Sequence, residues 1–319
     1  MSLFSDCVAS DKLRVGWIGL GAMGVEMARN LQVHRAKTGL SPISVYNRTL
    51  SKCEQLAQLG AQVCGSAAEV ANASDVVFLS LFSGDTVKSI VAEILDNSSG
   101  EQPLLIADLT TVHPDSTQWI LDDLARRRRE LLLPRPVEFS QTPVWGAPAA
   151  AKAAKLVFVS SGASRRVLES LAVPAFAHRA IDCGEDGVRA AKFKVLGNFM
   201  IASIVEALGE AMAVAEEVGV GRELYLEFVR EMLPVPPALA YAKKMTDENG
   251  EASKTQVGFT VLGGMKDVGY AVDLAKSVGM RLPIAELALE HLQWVKAKGD
   301  PNWDWSSLAF ALRKGNWRF

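Results

Sequence analysis

Along the first half of this 319-residue chain, short apolar runs alternate with segments whose apolar residues recur every three or four positions. The runs Val15–Ile18, 43–46, 75–81 and Leu104–Asp108 have the length and continuity of strands buried on both faces. Helical spacing follows the first run through Leu31, and recurs over 51–59, 66–72 and 85–95 and from Pro114, whose ring suits a first turn. A polar loop is expected over 33–42 and a short strand over 61–63. A strand region over 131–133 and 137–139 should be bent by Pro134 and Pro136, and a strand over 155–161 precedes a helix over 164–171. Strands alternating with helices predict an α/β, doubly wound parallel sheet, whose ligands lie beyond the carboxyl ends of its strands. Here those ends are residues 19–24, 47–49, 81–87, 110–111 and 143–148.

After Cys183–Gly187 the pattern changes. Residues 188–218 keep helical spacing for about thirty residues without proline, and further helices are expected over 222–233, 238–245, 257–277, 284–297 and 305–314. Gly197 and Gly209 inside the long helix point to close packing. Two domains follow: 1–186 around the sheet, and 187–319 all-helical. A helix of that length spans ~45 Å, more than one small domain can cover. It therefore suggests a homodimer or higher homo-oligomer, and the aromatic tail residues Trp303, Trp305, Trp317 and Phe319 could pack across that interface or equally cover their own core.

The turn after the first strand carries chemistry. Gly19-Leu20-Gly21-Ala22-Met23-Gly24 is G-x-G-x-x-G, placed where a strand passes into a helix. The first glycine permits the tight turn, the second lets a pyrophosphate approach the backbone, and the third lets the helix pack on the strand. Free N–H groups at the helix start face the phosphates. A dinucleotide-binding, Rossmann-type domain is expected. The second strand ends in Asn47-Arg48-Thr49, with Lys52 one turn on. An acidic residue there would suit the ribose 2′-hydroxyl of NAD, whereas Arg48 suits the 2′-phosphate of NADP. Thr49 is also expected to cap the following helix.

Composition narrows the partners. A formal net charge of −2 gives no electrostatic case for nucleic acid or an anionic membrane, and the basic run 126–129 suits a helix end. Cys7, Cys53, Cys64 and Cys183 form no framework, which fits a reducing compartment. With no signal-like leader and no apolar run approaching a membrane span, a cytoplasmic protein is expected. His34, His113, His178 and His291 are scattered, so no metal is expected, and His113 is expected in a solvent-facing turn.

Gly19–Gly24 with 27–31, Asp108-Leu-Thr-Thr111 with Pro114, 143–147, Lys194-Val-Leu-Gly-Asn198, Glu210-Ala211 and Lys266-Asp267 resemble the β-hydroxyacid dehydrogenases. This group includes 3-hydroxyisobutyrate dehydrogenases and glyoxylate/succinic semialdehyde reductases and is related to 6-phosphogluconate dehydrogenase. The resemblance covers residues 13–310. It implies a catalytic lysine on the interdomain helix, with an asparagine one turn later that helps to hold the substrate. The K-x-x-x-N spacing selects Lys194 with Asn198, on one helix face, over Lys192. A lysine desolvated in a cleft can serve as the proton donor that carbonyl reduction needs. The resemblance also implies cofactor contacts at Leu81, Phe82, Thr86, Val87, Thr111 and Lys266, with Phe259 closing the pocket. For Phe82, Val87 and Phe259, plain core is the competing assignment.

Substrate contacts are expected at Thr110, Trp145, Gly146 and Ala147. The family pattern there is Pro-Val-Ser-Gly-Gly, in which a hydroxyl and glycine N–H groups grip a carboxylate. Trp145 and Ala147 depart from it, so a larger, more apolar or aromatic carbonyl compound competes with a small hydroxyacid or semialdehyde, and Trp145 could instead simply pack at the hinge. An NADPH-dependent oxidoreductase is the leading expectation. An imine reductase on the same fold and a non-catalytic NADP-binding scaffold are the alternatives.

Overall fold

The computed structural model describes residues 3–4, 12–97, 99, 101–313 and 316; Cys7, Lys314, Trp317 and Phe319 lie outside them. The chain divides into two compact units, Met1–Lys194 and Val195–Phe319.

The first unit contains β1 (Val15–Ile18), α1 (Gly24–Lys37), β2 (Ser44–Tyr46), α2 (Glu54–Ala57), β3 (Gln62–Val63), α3 (Ala67–Asn72), β4 (Val76–Leu79) and α4 (Gly84–Asn97). It continues through β5 (Leu104–Asp108), α5 (Pro114–Arg129), β6 (Val137–Gln141), β7 (Val144–Trp145), α6 (Pro148–Lys152), β8 (Leu156–Ser160), α7 (Arg165–Ala172) and β9 (Ala177–Asp182). Six parallel strands form one sheet in the order β3-β2-β1-β4-β5-β6. The order reverses at β1, so the first strand sits at the switch point where such sheets open a crevice. Both faces are covered. Along β4, Val76 and Phe78 enter the core that contains Trp17, Met27 and Phe176, while Val77 and Leu79 enter the one that contains Val91, Ile94 and Ile120. Trp17, Phe78 and Phe176 meet with ring centroids 5.5–5.8 Å apart.

Some local expectations change. The helix α1 runs to Lys37 and removes half of the loop expected over 33–42, because Arg35 is buried with its guanidinium donating to the carbonyls of Leu13 and Ser41. The helix expected over 51–59 is a 3-10 turn, Leu50–Cys53, followed by α2. Thr49 precedes it without a capping side-chain bond. Residues 131–133 form no strand: Leu131 has φ +55° and is exposed where α5 ends. Ser66 does cap α3, accepting the Glu69 N–H at 3.1 Å, while the Glu69 carboxylate accepts the Gly65 N–H. In the basic run, Arg126 and Arg127 pair with Asp123, Glu130 and Asp96.

A second sheet was not anticipated. The strand β8 pairs antiparallel with β7 and parallel with β9. Most of β9 faces solvent, so Ala177-His-Arg-Ala-Ile-Asp182 lacks an apolar signal.

The helix α8 (Arg189–Glu217) carries the chain into the second unit, and the division between the units falls inside it, past the pattern change near residue 186. Then come α9 (Arg222–Met232), α10 (Pro236–Met245), α11 (Glu251–Thr255), α12 (Val261–Ser277), α13 (Pro283–Lys298) and a 3-10 helix, Trp305–Phe310. The helix expected over 257–277 starts only at Val261. Thr260 caps it by accepting the Gly263 N–H, and the Asp304 carboxylate holds the preceding turn through the N–H groups of Gly258 and Phe259. Gly209 packs closely, since a Cβ there would meet Leu312 at 3.0 Å. Contrary to the expectation from apolar runs, α8 is long and apolar enough to cross a membrane by length and composition alone. It nevertheless contributes Ala202, Val205, Leu208 and Met212 to the second unit's core and buries Glu206.

Candidate active site

The glycine loop is shaped by backbone sterics. Gly19 has φ +98°, and a Cβ there would lie 2.2 Å from the Ser80 carbonyl oxygen; at Gly24 it would lie 2.3 Å from that of Gly19. The loop is braced from below: the Trp17 indole Nε1 donates to the Gly19 carbonyl at 3.0 Å, and the Gly19 N–H donates to Tyr46. Gly21 differs, because a Cβ there meets nothing within 4 Å, and Gly21 and Ala22 are exposed. This is an open cradle at a helix start, as a pyrophosphate requires. Met23 is half-buried ahead of α1.

At the tip of β2 the Asn47 amide oxygen accepts the Leu20 N–H at 2.9 Å, and its nitrogen donates to the Thr49 carbonyl. Leu20 itself is buried. Asn47 therefore fastens the tip to the glycine loop, while Arg48, Thr49 and Lys52 are exposed beside it. Burial pushes the nearby Cys53 and Cys64 thiols up, which keeps them unreactive.

At the ends of β4 and β5, Thr110 is buried. Its hydroxyl accepts the Leu81 N–H at 2.9 Å and its N–H donates to the Asp108 carboxylate. Gln141, not singled out by sequence, donates to the Asp108 and Thr110 carbonyls and accepts from the Thr117 hydroxyl. Thr110 thus serves as a brace, where a substrate contact was expected. Phe82 and Thr86 are exposed and Thr111 is half-buried, whereas Val87 is fully buried beside Val91, so Val87 belongs to the core. His113 is the N-cap of α5, accepting the Asp115 N–H.

Beyond β6, Gly146 has φ +135°, and Gly146 and Ala147 are exposed. Trp145 meets Phe193 edge to face, with centroids 4.9 Å apart. Lys194 Nζ lies over the same indole, 5.4 Å from its centroid. Lys194 is 7% exposed and Asn198 8%, whereas Lys192 is exposed.

Within the second unit, the Asn198 amide donates to Asp267 Oδ2 at 2.6 Å, and Lys266 Nζ lies 2.7 Å from Asp267 Oδ1 and 4.9 Å from the Tyr270 ring centroid. Sequence placed Asp267 in a motif without a role; here the buried carboxylate gathers both neighbours. Phe259 meets Trp305 edge to face with centroids 5.1 Å apart, packed against the second core. Among the described residues, no three His, Cys, Asp or Glu side chains are grouped to hold a metal ion.

Two family models match: the NAD binding domain of 6-phosphogluconate dehydrogenase over residues 14–181, and the NAD-binding domain of NADP-dependent 3-hydroxyisobutyrate dehydrogenase over 189–312. The chain belongs to the β-hydroxyacid dehydrogenase family. It is an NAD(P)-dependent oxidoreductase of the hydroxyacid dehydrogenase type.

An uncharacterized oxidoreductase of Bacillus subtilis is 29% identical over 94% of this chain and 100% of its own. An NADH-dependent oxidoreductase of Aspergillus ustus is also 29% identical, over 91% and 96%. Glyoxylate/succinic semialdehyde reductase 1 of Arabidopsis thaliana is 26% identical over 94% and 99%. The fold matches Mycobacterium tuberculosis 3-hydroxyisobutyrate dehydrogenase, solved with L-serine (TM-score 0.74, 22% identity, 94% and 99% covered). It also matches an imine reductase from Pseudomonas sp. (TM-score 0.56, 19% identity, 95% and 100% covered).

Proposed function

We propose that the protein is an NADPH-dependent reductase that interconverts a carbonyl and a hydroxyl group, with Lys194 as the proton donor and acceptor. The observation that carries this reading is the burial of Lys194. Of the two lysines near the start of α8, it alone is withdrawn from water, with Nζ over the Trp145 ring and Asn198 one turn further along the helix. A bound nicotinamide supplies or accepts the hydride. Lys194 gives its proton to the oxygen that becomes the hydroxyl, and takes it back in the reverse direction. Asp267 orients the Asn198 amide and Lys266. Gly19–Gly24 form the pyrophosphate cradle, and Phe82, Thr86 and Thr111 are further cofactor contacts, left accessible at the ends of β4 and β5.

Replacing Lys194 by Ala should lower kcat by about 10²–10⁴-fold while leaving NADPH affinity within about twofold, a loss of chemistry without loss of cofactor. Full turnover in that variant would overturn the assignment of Lys194, whereas a wild-type protein that binds NADPH but reduces no carbonyl would favour a binding scaffold. An imine substrate would need no lysine at this place, so cyclic imines reduced faster than semialdehydes would move the assignment to imine reduction.

Arg48 and Lys52, exposed at the β2 tip, support NADPH over NADH. The Aspergillus ustus relative is named as NADH-dependent, so the choice within the family needs its own test. Arg48→Ala should weaken NADPH at least about tenfold, the expected loss of a charge-assisted phosphate contact, and leave NADH unchanged. Equal effects on both would refute it. Homo-oligomerisation is supported by Met200, Val214, Leu224, Phe228 and Met232, all exposed on α8 and α9, and light scattering tests it. The charge balance, and the free thiols of Cys53, Cys64 and Cys183 among the described residues, support a cytoplasmic location.

A further inference from the structure

Trp145 and Phe193 stand at right angles with centroids 4.9 Å apart, and Lys194 Nζ lies 5.4 Å from the indole centroid. All three belong to the first unit. Trp145 is half-buried and Phe193 is 41% exposed, so the corner is neither sealed in a core nor fully solvated. The hydroxyls near this turn face inward. Thr142, Ser160 and Ser161 are fully buried, and Ser161 donates to the carbonyls of Gln141 and Gly187. The exposed surface of the turn is thus an indole, a glycine and an alanine, with no hydroxyl side chain to grip a small carboxylate. A carbonyl oxygen bonded to Lys194 Nζ at ~2.9 Å on the side of the ammonium that faces the ring would leave its neighbouring substituent within van der Waals reach of the indole.

We propose that Trp145 and Phe193 form an aromatic corner that selects substrates carrying a flat apolar group, such as an aryl ring, next to the reacting carbon. This rests on the assignment of Lys194 as the proton donor. A flat ring gains an edge-to-face or offset contact there, whereas a methyl group leaves most of the corner wet.

The test compares two stable hydroxyacids, 3-hydroxy-2-phenylpropanoate and 3-hydroxy-2-methylpropanoate, oxidised with NADP⁺ and with NAD⁺, and also titrated calorimetrically into the cofactor-loaded protein. The phenyl compound should win by at least about tenfold in kcat/KM. Trp145→Ser should remove at least about tenfold of that preference, mainly through KM, while Trp145→Phe retains most of it. If the serine variant does not fold, Trp145→Leu keeps the bulk and should still lose the preference. A wild-type preference for the methyl compound, a preference unchanged in both the serine and leucine variants, or turnover of another carbonyl with neither compound bound would overturn the proposal. If nothing is oxidised but binding shows the phenyl preference and its loss in Trp145→Ser, the corner stands and the Lys194 reaction fails.

Discussion

The two units build their polar sites in opposite ways. In the first, the glycine loop is made of backbone: Gly19 and Gly24 fit because a Cβ would strike a carbonyl oxygen, and its braces, Trp17 and Asn47, bond to main-chain atoms. In the second, side chain meets side chain across long sequence separations: Asn198 with Asp267, Glu206 with His291, and Lys244 with Asp304. A backbone site survives many changes of side chain but fails when a glycine gains a Cβ. A side-chain site depends on both partners, because losing one leaves the other buried and uncompensated.

The sharpest way to break this contrast is at the glycines. Gly19→Val places a β-branched residue at positive φ against the Ser80 carbonyl, which should cost more than about 3 kcal/mol and abolish measurable NADPH binding. Gly21→Ala, where the protein leaves open space, should instead leave Tm within about 1 °C while weakening NADPH at least about tenfold, a steric loss confined to the pyrophosphate. Equal Tm losses in both would show that the cradle is a structural turn only.

In the second unit, Glu206 Oε1 lies 2.6 Å from His291 Nδ1, and both side chains are almost fully buried. Glu206→Ala should destabilise the protein by about 1–3 kcal/mol, the cost of leaving the buried imidazole without its hydrogen-bond partner, as measured by denaturant unfolding. A loss below 1 kcal/mol would mean that the pair adds little beyond packing.

The smallest effect should come from a surface pair of the first unit. Burial pushes the Asp75 carboxyl up, but hydrogen bonds from Arg14 and its charge outweigh that and hold it below its ordinary value. The pair's stabilisation is therefore complete above the ordinary aspartate range and fades as pH falls through the lowered value. Arg14 is half exposed, so Arg14→Ala should cost at most about 1 kcal/mol at neutral pH. The difference from wild type should shrink in acid; a difference that grew there would reverse the sign of this account.

How much of the site was legible follows the same contrast. Gly19, Gly21 and Gly24 could be assigned from their spacing, because a strand-to-helix turn is local and its steric demands fall on consecutive residues. The family resemblance, through its K-x-x-x-N spacing, separated Lys194 from Lys192, and of the two only Lys194 is buried. Val87 and Thr110 could not be placed from sequence for one reason: a residue at a strand end can face the crevice or the core, and hydropathy does not say which. Val87 faces the core, and the Thr110 hydroxyl is engaged by Leu81. Gln141 and Asp267 passed without a role because the Gln141 partners lie 24–33 positions away and Asn198, which Asp267 accepts from, lies 69 away. The second sheet was missed because β7 has two residues and β9 is largely exposed.

The sequence by itself determined the alternation of strands and helices, the dinucleotide loop, the basic tip at Arg48 and the long helix bearing Lys194. All of these rest on interactions within about one turn of helix or one strand, where spacing alone carries the physics. Only the tertiary structure decided which lysine leaves water, that Thr110 and Gln141 brace the strand ends, and that Trp145 lies under the Lys194 ammonium beside Phe193. Burial and pairing between distant segments depend on how the chain closes on itself, and no local pattern encodes that.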